Sequence, residues 1–377
     1  MLLSATRTPR AEIAALFLRL GLTAFGGPAA HIALMQSEVV DVRHWMSHAE
    51  FLDLLGACNL LPGPGSTQLA MAIGYRRAGI SGLITAGLCF ILPSALTTLA
   101  LAWAYVTYGS LPQAQGLLAG TKPVMIAILI QAIWKLGRTA YRSWGLALTG
   151  VLCCCAVVIG APPVFVLLAA GGLAALTVYA RSMRRTTASA VWLPPMIGSG
   201  IAGTAALTSI FLVFLKLGVV VFGSGYVLLV FFQADLVDRL HWVTQQQLLD
   251  AVTAGQLTPG PVFASAAFLG YVIHGWAGAA LATAAIFLPS FPMAGAAAAL
   301  ALRIRKSVLA AAFLNGVNAA AVALMAVVAF TLGRATLAGG FAWAVSAISL
   351  LLLVRFKINP TGLILAGATA GLLSFMN

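Results

Sequence analysis

The chain has 377 residues, of which 61% are hydrophobic and 8% charged, and its mean hydropathy is +1.02. A soluble domain carries about a quarter of its residues charged, so a water-exposed globule is excluded. A net charge of +13 would suggest nucleic acid in a soluble protein. Here the basic residues sit in short loops between apolar runs, as in membrane proteins, and no nucleic-acid partner is expected.

The apolar runs are about 17–27 residues long, which matches a hydrocarbon core of about 30 Å at 1.5 Å per helical residue. The expected class is an all-α polytopic membrane protein, with lipid as its surroundings. Six crossings are read in the first half, at about 11–35, 48–76, 79–105, 116–137, 144–159 and 163–180. MLLSATRTPR, the first ten residues, is too short for a cleavable signal peptide. The second crossing is interrupted by Pro62-Gly63-Pro64-Gly65. Ser47 and Glu50 are spaced as a capping box, so the helix before the interruption has about 11–13 residues and is under 20 Å long, too short to cross alone. A broken span is favoured over a re-entrant hairpin. Cys153, Cys154 and Cys155 are consecutive within an apolar span. Adjacent positions on a helix cannot face one ion, so neither a metal site nor a cofactor is expected.

From residue 208 the chain repeats itself. LFLRLGLTAFGG (16–27) matches VFLKLGVVVFGS (213–224), an offset of 197 that pairs Arg19 with Lys216 and Gly26 with Gly223. The same offset pairs His44-Trp45 with His241-Trp242, Asp53 with Asp250, and LPGP (61–64) with TPGP (258–261). One deletion later, Gly137-Arg138 pairs with Gly333-Arg334. The expected division is an N-terminal repeat at 1–181, a linker at 182–207 and a C-terminal repeat at 208–377. Equivalent loops carry opposite charge bias: Arg76 and Arg77 face Val272 and Ile273, whereas Thr107 to Leu111 face Arg303, Arg305 and Lys306. Inverted halves place fifteen loop cations inside against two outside, while parallel halves give ten against seven. The positive-inside rule therefore predicts inversion. Inversion after six crossings needs one more, for which 186–207 is the candidate, although it contains Pro194-Pro195. The expectation is thirteen spans (6+1+6), with the N-terminus cytoplasmic and the C-terminus outside.

Inverted repeats with discontinuous helices are a plan of secondary transporters, which bind substrate at half-helix ends near the bilayer midplane. The helix after PGPG starts inside the membrane, and its free amides and positive dipole end suit an anion. Candidate binding residues in the first repeat are Gly26, Gly27, Asn59, Gly63, Gly65, Ser66, Thr67 and Gln68. Those in the second are Gly223, Gln256, Thr258 and Gly260. Val262 and Phe263 replace Gly65 and Ser66, so the first break is the more polar. Arg19 and Lys216 are intramembrane cations at equivalent positions and join the binding set; snorkelling to an interface is the alternative. Lys122 is a weaker candidate, with Asn318 in its place in the second repeat. Asp53 and Asp250 are candidates for proton coupling, against a plain role in helix-start electrostatics. His44 and His241 are further coupling candidates, against interfacial anchoring by their tryptophans. The chain has no G-x-S-x-G, HExxH or P-loop, so neither an enzyme nor ATP-driven transport is expected. An uncoupled anion channel stays open, as do a homodimer and a self-contained unit.

FGGPAAHIALM (25–35), LLPGPGSTQLAMAIGYRRAG (60–79), VFGSGYVLLVFF (222–232) and LTPGPVFASAAFLGY (257–271) resemble the chromate ion transporter (CHR) family, in its long two-domain form, over nearly the whole chain. The resemblance implies oppositely oriented halves and export of chromate from the bacterial cytoplasm across the inner membrane, coupled to the proton gradient or the membrane potential. Sulfate, an isosteric dianion, is the competing substrate.

Overall fold

The computed structural model describes residues 9–183, 206–222, 225–304, 307–356 and 358–376. The expected extra span at 186–207 lies almost wholly outside the described residues. The described residues are helical. The first repeat contains α1 (Pro9–Thr23), α2 (Gly27–Gln36, prolonged by a π-turn over Ser37–Val42), α3 (His48–Leu60) and α4 (Gly65–Tyr108), followed by α5 (Pro112–Ala140), α6 (Trp144–Val158) and α7 (Pro163–Met183). The second contains α8 (Leu207–Val220), α9 (Val227–Phe232, prolonged by a π-turn over Gln233–Arg239), α10 (Gln245–Leu257) and α11 (Ser265–Phe287), followed by α12 (Ser290–Ile304), α13 (Val308–Thr336), α14 (Gly340–Arg355) and α15 (Pro360–Met376). Among the described residues, five helical stretches are long and apolar enough to cross a membrane.

Both expected capping boxes form. The Ser47 hydroxyl accepts from the Glu50 amide at 3.2 Å and Glu50 accepts from the Ser47 amide at 2.8 Å; Thr244 and Gln247 do the same at 3.1 and 2.8 Å. α4 bends sharply at Ala78-Gly79, and α11 at His274-Gly275. The backbone at Gly79 (φ 61°, ψ −149°) lies in a region open essentially to glycine, and Gly275 repeats it. At each bend the chain reverses on itself, with Gly74 against Gly82 and Gly270 against Gly278, too close for any Cβ.

The helices are discontinuous, as expected, but the halves of each break do not continue in line. Arg19 on α1 pairs with Glu38 beyond α2. At 1.5 Å per residue these groups would be roughly 23 Å or more apart along one axis, so α1 and α2 double back. Lys216 pairs with Asp235 in the equivalent place, at 2.8 Å. The next break also reverses, since Gly255 on α10 faces Ser265 on α11 across its turn. The ends of both first-repeat hairpins gather together. Arg77 pairs with Glu12 at 3.2 Å, Arg10 donates to Ser81 at 2.9 Å, and the Trp45 ring carries the guanidinium groups of both Arg43 and Arg77, 5.5 and 5.3 Å from its centre. The all-α, two-repeat, polytopic plan stands. The expected count of thirteen crossings took each interrupted segment as one in-line span; among the described residues the first two segments of each repeat fold instead as hairpins. The arms are too short to cross, as the capping box implied for α3. Their sequence does not encode whether the chain goes on or turns back.

The repeats are inverted relative to each other. α5 and α13 occupy equivalent positions and run antiparallel: Gly333 lies against Ile126, Gly137 lies against Val322, and the Tyr141 hydroxyl donates to the Ala319 carbonyl at 3.0 Å. Each long helix also packs on the last helix of the other repeat. Gly120 of α5 meets Gly367 of α15, and Gly171 of α7 meets Phe313 and Val317 of α13, close approaches of the small-residue kind found between membrane helices. α5–α7 and α13–α15 form an outer bundle around a core built from the hairpins, the long arm of α4, and α11–α12.

Candidate functional site

The hairpin turns meet at the centre of the core, where each repeat completes the other. The Gly63 amide donates to the Val221 carbonyl at 2.5 Å, and the Gly260 amide donates to the Ala24 carbonyl at 3.0 Å. These bonds are related by the offset of 197, which pairs Gly63 with Gly260 and Ala24 with Val221. Gly63 and Gly260 have φ of +112° and +91°, a left-handed geometry that glycine adopts without a Cβ penalty. Behind Gly63, the Gln68 side chain donates to the Pro62 carbonyl at 2.5 Å. Behind Gly260, Ser94 donates to the Pro261 carbonyl at 3.4 Å, and the Thr98 and Thr258 hydroxyls lie 3.1 Å apart.

A cavity of about 40 Å³ lies where the turns converge, roomy enough to hold water. Its first-repeat wall is Pro28 and Ile32 of α2 with Asn59, Pro64, Gly65 and Ser66; its second-repeat wall is Gly225 with Pro261, Val262 and Phe263. α4 begins at this cavity. Its first amides have no partner within the helix, as at any helix start, and they carry the positive end of its dipole. The second repeat replaces this start with a short 3₁₀ turn over Val262–Ala264, so the polarity is one-sided, as the sequence suggested. Ser66 is further tied to His31. The His31 ring is 1% exposed, with Nδ1 3.4 Å from the Ser66 hydroxyl and Nε2 3.1 Å from the Ala24 carbonyl. Phe90 packs edge-on against it at 5.4 Å.

The other sequence candidates are dispersed. Asn59, Gly65 and Ser66 line the cavity, and Gly63 shapes its turn. Thr67 and Gln68 are fully buried just behind, and Thr67 Oγ1 and Gln68 Oε1 have no hydrogen-bond partner. Gly26 and Gly27 form the left-handed turn between α1 and α2 (φ 103° and 76°). Gln256 and Thr258 are buried beside the second turn. Gly223 lies outside the described residues. Arg19 and Lys216 do not reach the cavity: their side chains are 52% and 42% exposed and pair with Glu38 and Asp235, bracing one hairpin in each repeat. His44 and His241 are exposed beyond the π-turns, far from the turns at the centre, and Asp53 is half-buried on α3. Asp250 is deeply buried. Its Oδ2 lies 3.4 Å from Lys122 Nζ and accepts from the Tyr105 hydroxyl at 3.1 Å.

Sequence reasoning missed three things. It left His31 unremarked inside a quoted motif, and it separated Lys122 from Asp250. It also overlooked that Glu38 and Asp235 share the offset that pairs Arg19 with Lys216, which was a readable signal for two equivalent ion pairs.

The family described as Chromate transporter matches the chain twice, over residues 11–176 and 208–372. A chromate transport protein of Cupriavidus metallidurans is 32% identical over 361 residues, covering 93% of this chain and 90% of that protein. A chromate transport protein of Pseudomonas aeruginosa is 31% identical, with 97% and 92% covered. A probable chromate transport protein of Synechococcus elongatus is 32% identical, with 85% and 84% covered. No solved structure matches the chain. The duplicated, cross-bonded hairpin core is thus the fold of a membrane transport family, and the chain belongs to the chromate transporter family.

Proposed function

We propose that the protein is a secondary transporter that exports chromate from the cytoplasm across a bacterial inner membrane, driven by the proton gradient or the membrane potential. The observation that carries this reading is the cavity at the start of α4, where free amides and the Ser66 and Asn59 side chains face a small space in a chain of this family. Asn59, Gly63, Gly65 and Ser66 form the proposed first wall, backed by Thr67 and Gln68. Gln256, Thr258 and Gly260 support the second, the Gly26-Gly27 turn closes the site, and Gly223, the sequence counterpart of Gly26, stays a binding candidate. Arg19 and Lys216 act by holding the hairpins shut. The working division stays 1–181, 182–207 and 208–377. The N-terminus is cytoplasmic: exchanging Arg43 and Arg239 between faces, as the hairpins require, leaves fifteen loop cations inside and two outside.

Chromate and sulfate uptake into inside-out vesicles, under an imposed pH gradient or potential, tests this reading. Chromate accumulation that collapses with an ionophore supports it. Flux that follows the chromate gradient alone would make the protein a channel, and flux of sulfate without chromate would make it a sulfate carrier.

A further inference from the structure

His31 is the buried titratable side chain in contact with the cavity wall, and its hydrogen bonds fix the polarity of that wall. The Ala24 carbonyl can only accept, so Nε2 carries a proton. In the neutral ring Nδ1 is then bare and must accept, and the Ser66 hydroxyl spends its single proton on it. Ser66 therefore shows only lone pairs to the cavity, which disfavours an anion. A second proton on the ring reverses the bond: Nδ1–H donates to Ser66 Oγ, and the hydroxyl hydrogen is free to swing into the cavity. The same proton places a positive charge behind that hydroxyl.

We propose that His31 is the proton-binding residue of the anion site, and that its protonation turns Ser66 from an acceptor into a donor toward a tetrahedral oxyanion. This rests on the reading of the cavity as the oxyanion site. No bond is made or broken beyond the transfer of one solvent proton to Nδ1. By linkage, the anion and the proton each raise the affinity for the other by the same factor, so a dianion exported with the His31 proton moves one charge fewer than the anion alone, and that export draws on the membrane potential and not on the pH gradient.

The surroundings leave His31 as the group that responds. Among the described residues no titratable side chain lines the cavity. On the elements packed against α2, Arg19 and Arg43 are engaged with Glu38, and Arg77 with Glu12. Asp41 and Arg76 are exposed, Tyr75 and Cys89 lie on α4 without bonding to the ring, and Tyr226, next to the cavity residue Gly225, is engaged with Gln256. The second repeat has no such device, because Leu228 and Phe263 stand at the positions of His31 and Ser66.

The test is chromate binding to the full-length protein in detergent, with proton uptake read in weakly buffered solution above the pKa of hydrogen chromate, where the ligand is a dianion. Wild type should take up close to one proton per anion, and its affinity should fall by up to ~10-fold per pH unit in the alkaline range. His31→Gln should bind weakly, with no proton uptake and a flat pH profile. Ser66→Ala, which leaves the ring in place, should lose most of the pH dependence. Chromate binding by wild type without proton uptake, or an unchanged pH profile in His31→Gln, would overturn this inference and leave the proposed transport intact. Failure of wild type to bind chromate at any pH would overturn both.

Discussion

Lys122 and Asp250 join the outer bundle to the hairpin core, and removing either one should show what that link is worth. The Asp250 side chain is 2% exposed, and its Oδ1 has no partner. Its Oδ2 depends on Lys122 and on the Tyr105 hydroxyl. Lys122→Met leaves a buried carboxylate with one neutral donor, a loss that typically costs about 3–5 kcal/mol. Asp250→Asn alone strands the ammonium instead, but Lys122 is 19% exposed and recovers part of the cost through water. The double variant has no stranded charge and should lose roughly 1 kcal/mol, the scale of one net hydrogen bond. The expected coupling is therefore at least about 2–4 kcal/mol, the residual loss in Asp250→Asn adding to it. The assay is a double-mutant cycle on equilibrium unfolding in mixed micelles, with Asn318→Ala as a control because Asn318 stands in the place of Lys122 in the second repeat. Single-variant losses that add to the double-variant loss within about 0.5 kcal/mol would refute the argument.

Other outcomes follow from the hairpins and their turns. Cysteines placed by Arg43→Cys and Arg77→Cys should react with an impermeant thiol reagent from the same side of the membrane in a background lacking other cysteines; labelling from opposite sides would restore an in-line span through residues 48–76. Gly63→Ala puts a Cβ onto the Gln68 amide and into a left-handed backbone, at about 1–2 kcal/mol, so vesicle transport should fall while protein remains in the membrane. Arg19→Glu should weaken transport, and adding Glu38→Arg should restore part of it; no recovery in the reversed pair would mean that Arg19 acts on substrate. Gly120→Leu should drive α5 from α15 and lower the melting temperature, whereas Gly172→Leu, with open space at its Cβ position, should leave it unchanged.

The duplication, the caps and the break at PGPG were legible because each is a local signal or a comparison of the chain with itself. Ser47 and Glu50 announce a helix start wherever the helix then goes. The reversal at each break was not legible. Two short apolar arms around a Gly-Pro turn look the same whether they stack or fold back, and the choice is made by distant partners: Glu38 for Arg19, Trp45 for Arg77. Inversion was readable through loop charge, and it reappears in the packing of Gly137 against Val322 and of Gly333 against Ile126. At the site, the polar start of α4 could be read from Gly65 and Ser66. The link to His31 could not, because nothing in an apolar run tells which face of α2 will meet Ser66.

The exchanged hydrogen bonds from Gly63 to Val221 and from Gly260 to Ala24 bear on assembly as well as on the site. Neither half can satisfy its own turn. During synthesis the first half must wait, its Gly63 amide uncapped within the bilayer and its Ala24 carbonyl held by His31 alone, until the second half has been inserted. A half expressed alone faces the same deficit and must find a complementary copy facing the other way. The fused chain supplies that opposed copy on the same polypeptide, in one-to-one proportion.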